Sequence, residues 1–262
     1  MKTGHKPDDK PLYRNPEISA ERRTRDLLAR MTLEEKAAQM ICIWQTKSRA
    51  FVDEGGNFDR RKARSYFRKR LGLGQVGRPS DAGGGKNARD TAELTNAIQE
   101  FVMANSRLGI PVLFHEECLH GPAAVDATSF PQPIGLAATF DPGLVERLYA
   151  MTAEEARVRG THQALTPVVD VARDPRWGRV EETFGEDPYL VSRMGVAAVR
   201  GFQGDASFGH KRHVIATLKH FAAHGQPESG TNCAPVNVSE RVLREVFLPP
   251  FRQAVQEAGA IS

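Results

Sequence analysis

Apolar residues in this chain gather into short, nearly continuous runs separated by stretches of helical periodicity. The runs are Leu73–Val76, Ile110–Phe114, Ala164–Val169 and Val214–Leu218, and another begins at Ala260-Ile261-Ser262. Each is rich in leucine or β-branched residues and does not alternate with polar ones. Strands buried on both faces of a parallel sheet read this way.

The intervening stretches carry helix boundaries. Ser19 is placed to cap a helix through Leu27 and Leu28. Thr32 and Glu35 form a capping-box pair for a second helix, whose apolar face is predicted to hold Leu33, Ala37, Met40 and Ile41. Asp141-Pro142 sets a capping side chain before a proline at the first helical position, and Gly160 closes that helix. Asp187-Pro188 repeats the start signal, with Leu190, Met194, Ala197 and Ala198 on one apolar face. A last helix, roughly Glu240 to Glu257, contains Pro249-Pro250, which must kink or split it.

This alternating order predicts a parallel α/β fold. A closed eight-stranded barrel takes about 250 residues, and an open doubly wound sheet is the alternative that strand count alone leaves standing. The first 18 residues, polar and proline-rich, are expected to wrap loosely around the fold, leaving residues 19–262 as one domain.

Composition narrows the class. Of the 262 residues, 40% are hydrophobic and 26% charged, which is ordinary for a globular protein and argues against wholesale disorder. No stretch approaches the roughly 20 apolar residues of a membrane-spanning helix. The amino terminus is charged throughout and lacks the apolar segment of a secretory signal, so a cytoplasmic setting is expected. Cys42, Cys118 and Cys233 are too few and too scattered for a disulfide framework or paired metal ligands. The net charge of +4 comes largely from one basic run between Arg60 and Arg70. With no aromatic platform beside it, that run reads as a solvated helix face, and no nucleic-acid partner is expected.

Function in a parallel α/β fold collects where strands end. The first apolar run leads into Gly77-Arg78-Pro79-Ser80-Asp81, and the second into His115-Glu116-Glu117-Cys118-Leu119-His120-Gly121. The third leads into Asp170 through Arg179, and the fourth into Lys219-His220-Phe221-Ala222-Ala223-His224-Gly225. Acids, arginines, a lysine and histidines thus meet on one rim with Trp177 as the aromatic residue among them. Such a rim suits a small, neutral, polyhydroxylated ligand held by charged hydrogen bonds, and a sugar fits.

Rival readings are weaker. His115 and His120 are five apart, where zinc ligands on one helical face need four, so no metal is expected. Gly83-Gly84-Gly85-Lys86 lacks the first glycine and the Ser/Thr of a phosphate loop. Asn237-Val238-Ser239 matters as a glycosylation acceptor only after secretion. Lys219 and His220 also admit a purely structural role, and Arg173, Arg176 and Arg179 can pair with Asp174, Glu181 and Glu182.

The segments GQVGRPSD, PVLFHEECLHG, TPVVDVARDPRWGRVEETFGEDPYLV, LKHFAAHG and APVNVSERVLREVFLPPFRQAV resemble the amino-terminal barrel of glycoside hydrolase family 3 over about residues 20–262. The resemblance implies the amino-terminal part of a (β/α)8 TIM-type barrel, incomplete in this chain. It implies removal of β-linked sugars, as an exo-acting β-glucosidase or β-xylosidase with retention, through two carboxylates. No cofactor is implied. The substrate-binding residues it implies are Glu117, gripping outer sugar hydroxyls, and Arg179, Lys219 and His220 around the sugar of the first subsite. The family's nucleophilic aspartate stands in a Ser-Asp-aromatic motif that falls beyond Ser262, and its acid/base comes from a second domain. No catalytic residue is therefore assigned, and the chain by itself is expected to be inactive and poorly stable. Asp170 is expected to orient the neighbouring arginines. A non-catalytic carbohydrate-binding half-barrel is the alternative, and a metal-dependent hydrolase using HEECLH a third.

Overall fold

The computed structural model describes residues 11–205, 208 and 210–262. Of the polar extension expected over residues 1–18, residues 1–10 lie outside the described residues. In chain order the elements begin with helices α1 (Ala20–Arg30) and α2 (Leu33–Ala38) and strand β1 (Cys42–Ile43). Helices α3 (Lys47–Ala50) and α4 (Arg60–Tyr66) precede β2 (Gln75–Gly77), and α5 (Ala88–Asn105) precedes β3 (Leu113–Glu116). Then come α6 (Pro133–Ala137), α7 (Pro142–Val158), β4 (Gln163–Ala164), α8 (Pro188–Gln203) and β5 (Ile215–Ala216). The last helical stretch runs as α9 (Glu240–Val242), a π turn (Leu243–Phe247) and α10 (Leu248–Ala258).

The five strands pair in parallel, each with its sequence neighbour, in the order β1-β2-β3-β4-β5. A doubly wound sheet reverses its strand order at a switch point, whereas here each strand joins the growing side in turn, as staves of a barrel do. The wall is continued by the final residues, where the Leu218 amide donates to the Ser262 carbonyl at 2.9 Å. Among the described residues β5 does not close back onto β1, so the wall stays open.

Four of these strands overlap the apolar runs, β5 wholly and β2, β3 and β4 in part. The first, β1, does not, because Met40 and Ile41 were expected to continue the second helix. That helix stops at Ala38, and Leu33, Ala37, Met40 and Ile41 face solvent, while Glu35 and Ala38 are the buried pair. Chain pairing explains the early stop. The Gly74 amide donates to Ala38 and the Gln75 amide to Ile41, so residues 38–43 are drawn alongside β2. Gly74 allows this approach, since a Cβ there would lie 1.9 Å from the Gln39 carbonyl oxygen.

Ser19 stands at the N-cap of α1 but its side chain makes no capping hydrogen bond, whereas the other capping signals are realised. Thr32 and Glu35 exchange both hydrogen bonds of the capping box, at 2.9 and 3.2 Å. Asp141 and Asp187 accept from the amides of Leu144 and Leu190. Gly160, at φ 98°, ends the chain's run beyond α7. The prolines near the carboxyl end follow a single π turn, at whose end the Leu248 amide donates to the Leu243 carbonyl, so the helical stretch is split there. The apolar interior lies between wall and helices in two clusters, one under α3–α5 and one under α7, α8 and α10.

Candidate functional site

The carboxyl ends of all five strands open on one rim. At β2 the chain leaves through Gly77, where a Cβ would lie 2.5 Å from His115 Nε2, so only glycine lets His115 of β3 lie across this strand. Arg78 follows in the left-handed region at φ 47°, and residues Pro79–Gly84 form a tight turn. Its Asp81 carboxylate is paired with Lys47, whose Nζ stands 2.8 Å away and also donates to the carbonyls of Trp44 and Gly77. The Arg78 guanidinium lies 5.8 Å from the Trp44 ring centroid. Trp44 lies in the loop after β1 and Lys47 opens α3, so their presence on the rim followed from a strand that the apolar pattern concealed.

Strand β3 ends in Glu116 and delivers Glu117 to the rim. Glu117 Oε2 accepts from Lys219 Nζ at 2.9 Å, joining the ends of β3 and β5. Beside it, His220 is locked by Asp170, which arrives from the extension of β4. The buried Asp170 Oδ2 accepts from the His220 amide at 3.0 Å and from its Nδ1 at 2.7 Å. The expectation that Asp170 orients the arginines is thereby corrected, because its hydrogen bonds go to His220.

Arg179 completes the cluster. Its guanidinium donates in a fork to Glu182 at 2.8 and 2.7 Å, and Nη2 lies 3.2 Å from His220 Nε2. With Nδ1 donating to Asp170, Nε2 is the accepting nitrogen, which assigns the neutral tautomer of His220 from its partners. Nη1 of Arg179 lies 3.3 Å from His224 Nε2. Burial would push the Glu182 carboxyl up, but the hydrogen bonds from Arg179 win and hold it below the usual carboxylate range. Burial lowers His224 below the usual imidazole range. Arg176 takes no part in the cluster and instead grips Asp174, whose carboxyl falls to about 2 through that hydrogen bond.

Glu117, Arg179, Lys219 and His220 are thus brought together as two contacting pairs, Glu117–Lys219 between the ends of β3 and β5 and Arg179–His220 between the loop after β4 and the end of β5. Asp170, Glu182 and His224, which hold or extend the cluster, were not singled out as site residues. Asp170 closes one strand run and His220 the next, so neighbouring strand ends were the signal that could have joined them. The zinc reading of the HEECLH segment fails on geometry, because His115 and Glu116 lie in a strand and not on a helix. Chemically the rim alternates carboxylates with guanidinium, ammonium and imidazole groups, all held in place. It offers fixed donors and acceptors to a hydroxyl-rich ligand.

Comparison with known proteins places the sequence and the fold in a family. The model of the family described as "Glycosyl hydrolase family 3 N terminal domain" matches residues 32–262. A putative beta-xylosidase of Formosa agariphila is 38% identical over 95% of this chain. A solved b-glucosidase of Erythrobacter marinus superposes with a TM-score of 0.83 at 38% identity over 96% of the chain. A beta-glucosidase of Listeria innocua, solved in complex with glucose, gives 0.75 at 32% identity over 92%. The chain spans about a third of these proteins, 32% of each. Among the described residues no helix is long and apolar enough to cross a membrane.

Proposed function

This chain belongs to glycosyl hydrolase family 3, as its amino-terminal domain, and from that premise we propose that it forms the sugar-binding wall of an exo-acting, retaining β-glucosidase or β-xylosidase. The observation that carries the reading is the fixed cluster of Glu117–Lys219 and Asp170–His220–Arg179–Glu182 on the rim. Residues 19–262 act as one barrel unit in this reading, with Glu117, Arg179, Lys219 and His220 binding a neutral monosaccharide unit at the non-reducing end. Lys219 and Arg179 donate to its hydroxyls and Glu117 accepts from them.

Each carboxylate of the cluster is engaged by a cation or an imidazole. Such groups suit binding and charge placement better than nucleophilic attack. The family resemblance assigns the nucleophile and acid/base to the remainder of the full-length protein. As oxocarbenium character develops in the sugar ring, donors already aimed at its hydroxyls strengthen, and no side chain of the cluster has to reorganise. All three cysteines are free, which supports a cytoplasmic, reducing setting.

The test is steady-state kinetics of the full-length protein on p-nitrophenyl β-glucoside and β-xyloside. Wild type is expected to release nitrophenol from at least one. Lys219→Met removes a charged donor and leaves Glu117 unpaired, so kcat/KM is expected to fall about 10–100-fold, from the ~1.5–3 kcal/mol of a charge-assisted hydrogen bond. Wild type that binds glucose or xylose without turnover would instead support a carbohydrate-binding role. Unchanged kinetics in the variant would remove the cluster from the site.

A further inference from the structure

Beneath the rim lies a carboxylate that the sugar-binding cluster does not use. Glu116, last residue of β3, is 3% exposed and points under the Arg78–Asp81 turn. Its Oε1 accepts from the Ser80 amide at 2.8 Å, while Oε2 is buried and has no hydrogen-bond partner. The turn above is a demanding piece of backbone. Arg78 is left-handed, its amide is fixed to the His115 carbonyl at 2.7 Å, and Ser80 is tied forward by the Lys86 amide at 2.8 Å. The Ser80 amide is thus the point at which the buried core of β3 holds the turn that carries Arg78 and Asp81.

We infer that Glu116 is a positioning residue: through the Ser80 amide it sets where Arg78 and Asp81 stand on the rim that receives the sugar. The inference rests on the sugar-binding reading above. The charged or titratable groups facing Glu116 are Asp81 and Arg78 of the turn and Cys118 of the loop after β3. Burial, reinforced by the Asp81 charge and opposed by the Ser80 hydrogen bonds, raises the Glu116 carboxyl to about 7. In its neutral form the group keeps the Ser80 bond without a buried charge below Asp81. On ionisation it places a second carboxylate beneath that residue, and the turn loosens.

Two variants of the full-length protein separate the possibilities. Glu116→Gln keeps an oxygen for the Ser80 amide and cannot ionise, whereas Glu116→Ala removes the acceptor. Kinetics on p-nitrophenyl β-glucoside and β-xyloside between pH 5.5 and 8.5 are paired with acrylamide quenching of tryptophan fluorescence. Quenching is read as the difference between each protein and its own Trp44→Phe counterpart, which isolates Trp44, beside Arg78 and 38% exposed. Wild type is expected to lose activity and gain quenching on a limb near pH 7. Glu116→Gln is expected to flatten both limbs while staying within about 3-fold of the wild-type optimum. Glu116→Ala is expected to lose about 10-fold in kcat/KM with high quenching at every pH. Wild-type behaviour in Glu116→Ala, or a wild-type limb retained in Glu116→Gln, would overturn the inference. If Glu116→Ala does not fold, Glu116→Gln alone decides. If wild type turns over neither glycoside, the functional reading fails separately, and the quenching limb still tells whether Glu116 controls the turn.

Discussion

At the scale of single residues, the site is a set of charges that hold one another still before any ligand arrives. Asp170 fixes the imidazole of His220, whose free nitrogen meets the guanidinium that Glu182 grips from the other side. The four positions proposed to bind substrate were legible because strand ends concentrate chemistry, and the family resemblance suggested their roles. Their supports were not legible, since which carboxylate meets which cation is decided by the pairing of β4 with β5. Glu116 shows the same limit: in the sequence it is one of two adjacent glutamates, and only burial separates its behaviour from that of Glu117. That burial predicts a stability effect with a definite sign. Raised to about 7 from an ordinary 4.5, the folded protein holds the Glu116 proton more tightly than the unfolded chain does. The stabilisation is whole below about pH 4.5 and is lost as pH climbs through 7, up to ~3 kcal/mol in all. Glu116→Gln is therefore expected to match wild type near pH 4.5 and to exceed it by up to that amount at pH 8. Denaturant midpoints at the two pH values check this. A difference that does not change with pH would count against a neutral buried carboxyl.

At the scale of elements, boundaries were the most readable feature and strand identity the least. Capping pairs and Asp-Pro starts act locally, so Thr32, Asp141 and Asp187 stand where the sequence placed them. Strand β1 depends on a neighbour 33 residues away, Cys42 facing Gln75, and two paired residues leave almost no periodicity to detect. Helix packing behind the wall is similarly non-local. Helices α7 and α8 approach at Gly201, where a Cβ would lie 2.4 Å from the Glu146 carbonyl oxygen and 2.9 Å from the Tyr149 Cβ. Gly201→Ala sets two effects against each other: about 1 kcal/mol gained in helix propensity and about 1–3 kcal/mol lost when a packed interface is forced apart. Because the nearest atom is backbone, the loss is expected to win. A fall in Tm of a few degrees in the full-length protein is the expected result, and a rise would show that α8 can shift without cost.

For the whole molecule, the question is what an open wall does in water. Among the described residues the sheet has one edge at β1 and is continued beyond β5 only by residues 260–262, and sheet edges are the places where further strands are recruited. Two grooves add apolar surface. One, of about 540 Å³, is lined by Phe221, Leu248, Pro249, Phe251 and Val255, and Phe221 and Val255 are 79% and 52% exposed. The other, of about 760 Å³, includes Leu27, Met103, Ile110 and Pro111. Relatives that match the chain are about three times its length, so a larger protein has material to cover such faces. Expressed alone, the 262 residues are expected to associate as concentration rises and to bind the dye ANS. The full-length protein is expected to do neither. Light scattering coupled to gel filtration, from about 1 to 100 μM, reads the first effect. A double variant, Phe221→Ser with Val255→Ser, separates the groove from the strand edges. Reduced association places the contact on the α10 face, and unchanged association places it on the exposed backbone. A 262-residue chain that stays monomeric and dye-free over the whole range would mean that the open wall protects itself, and the instability expected of it would be wrong.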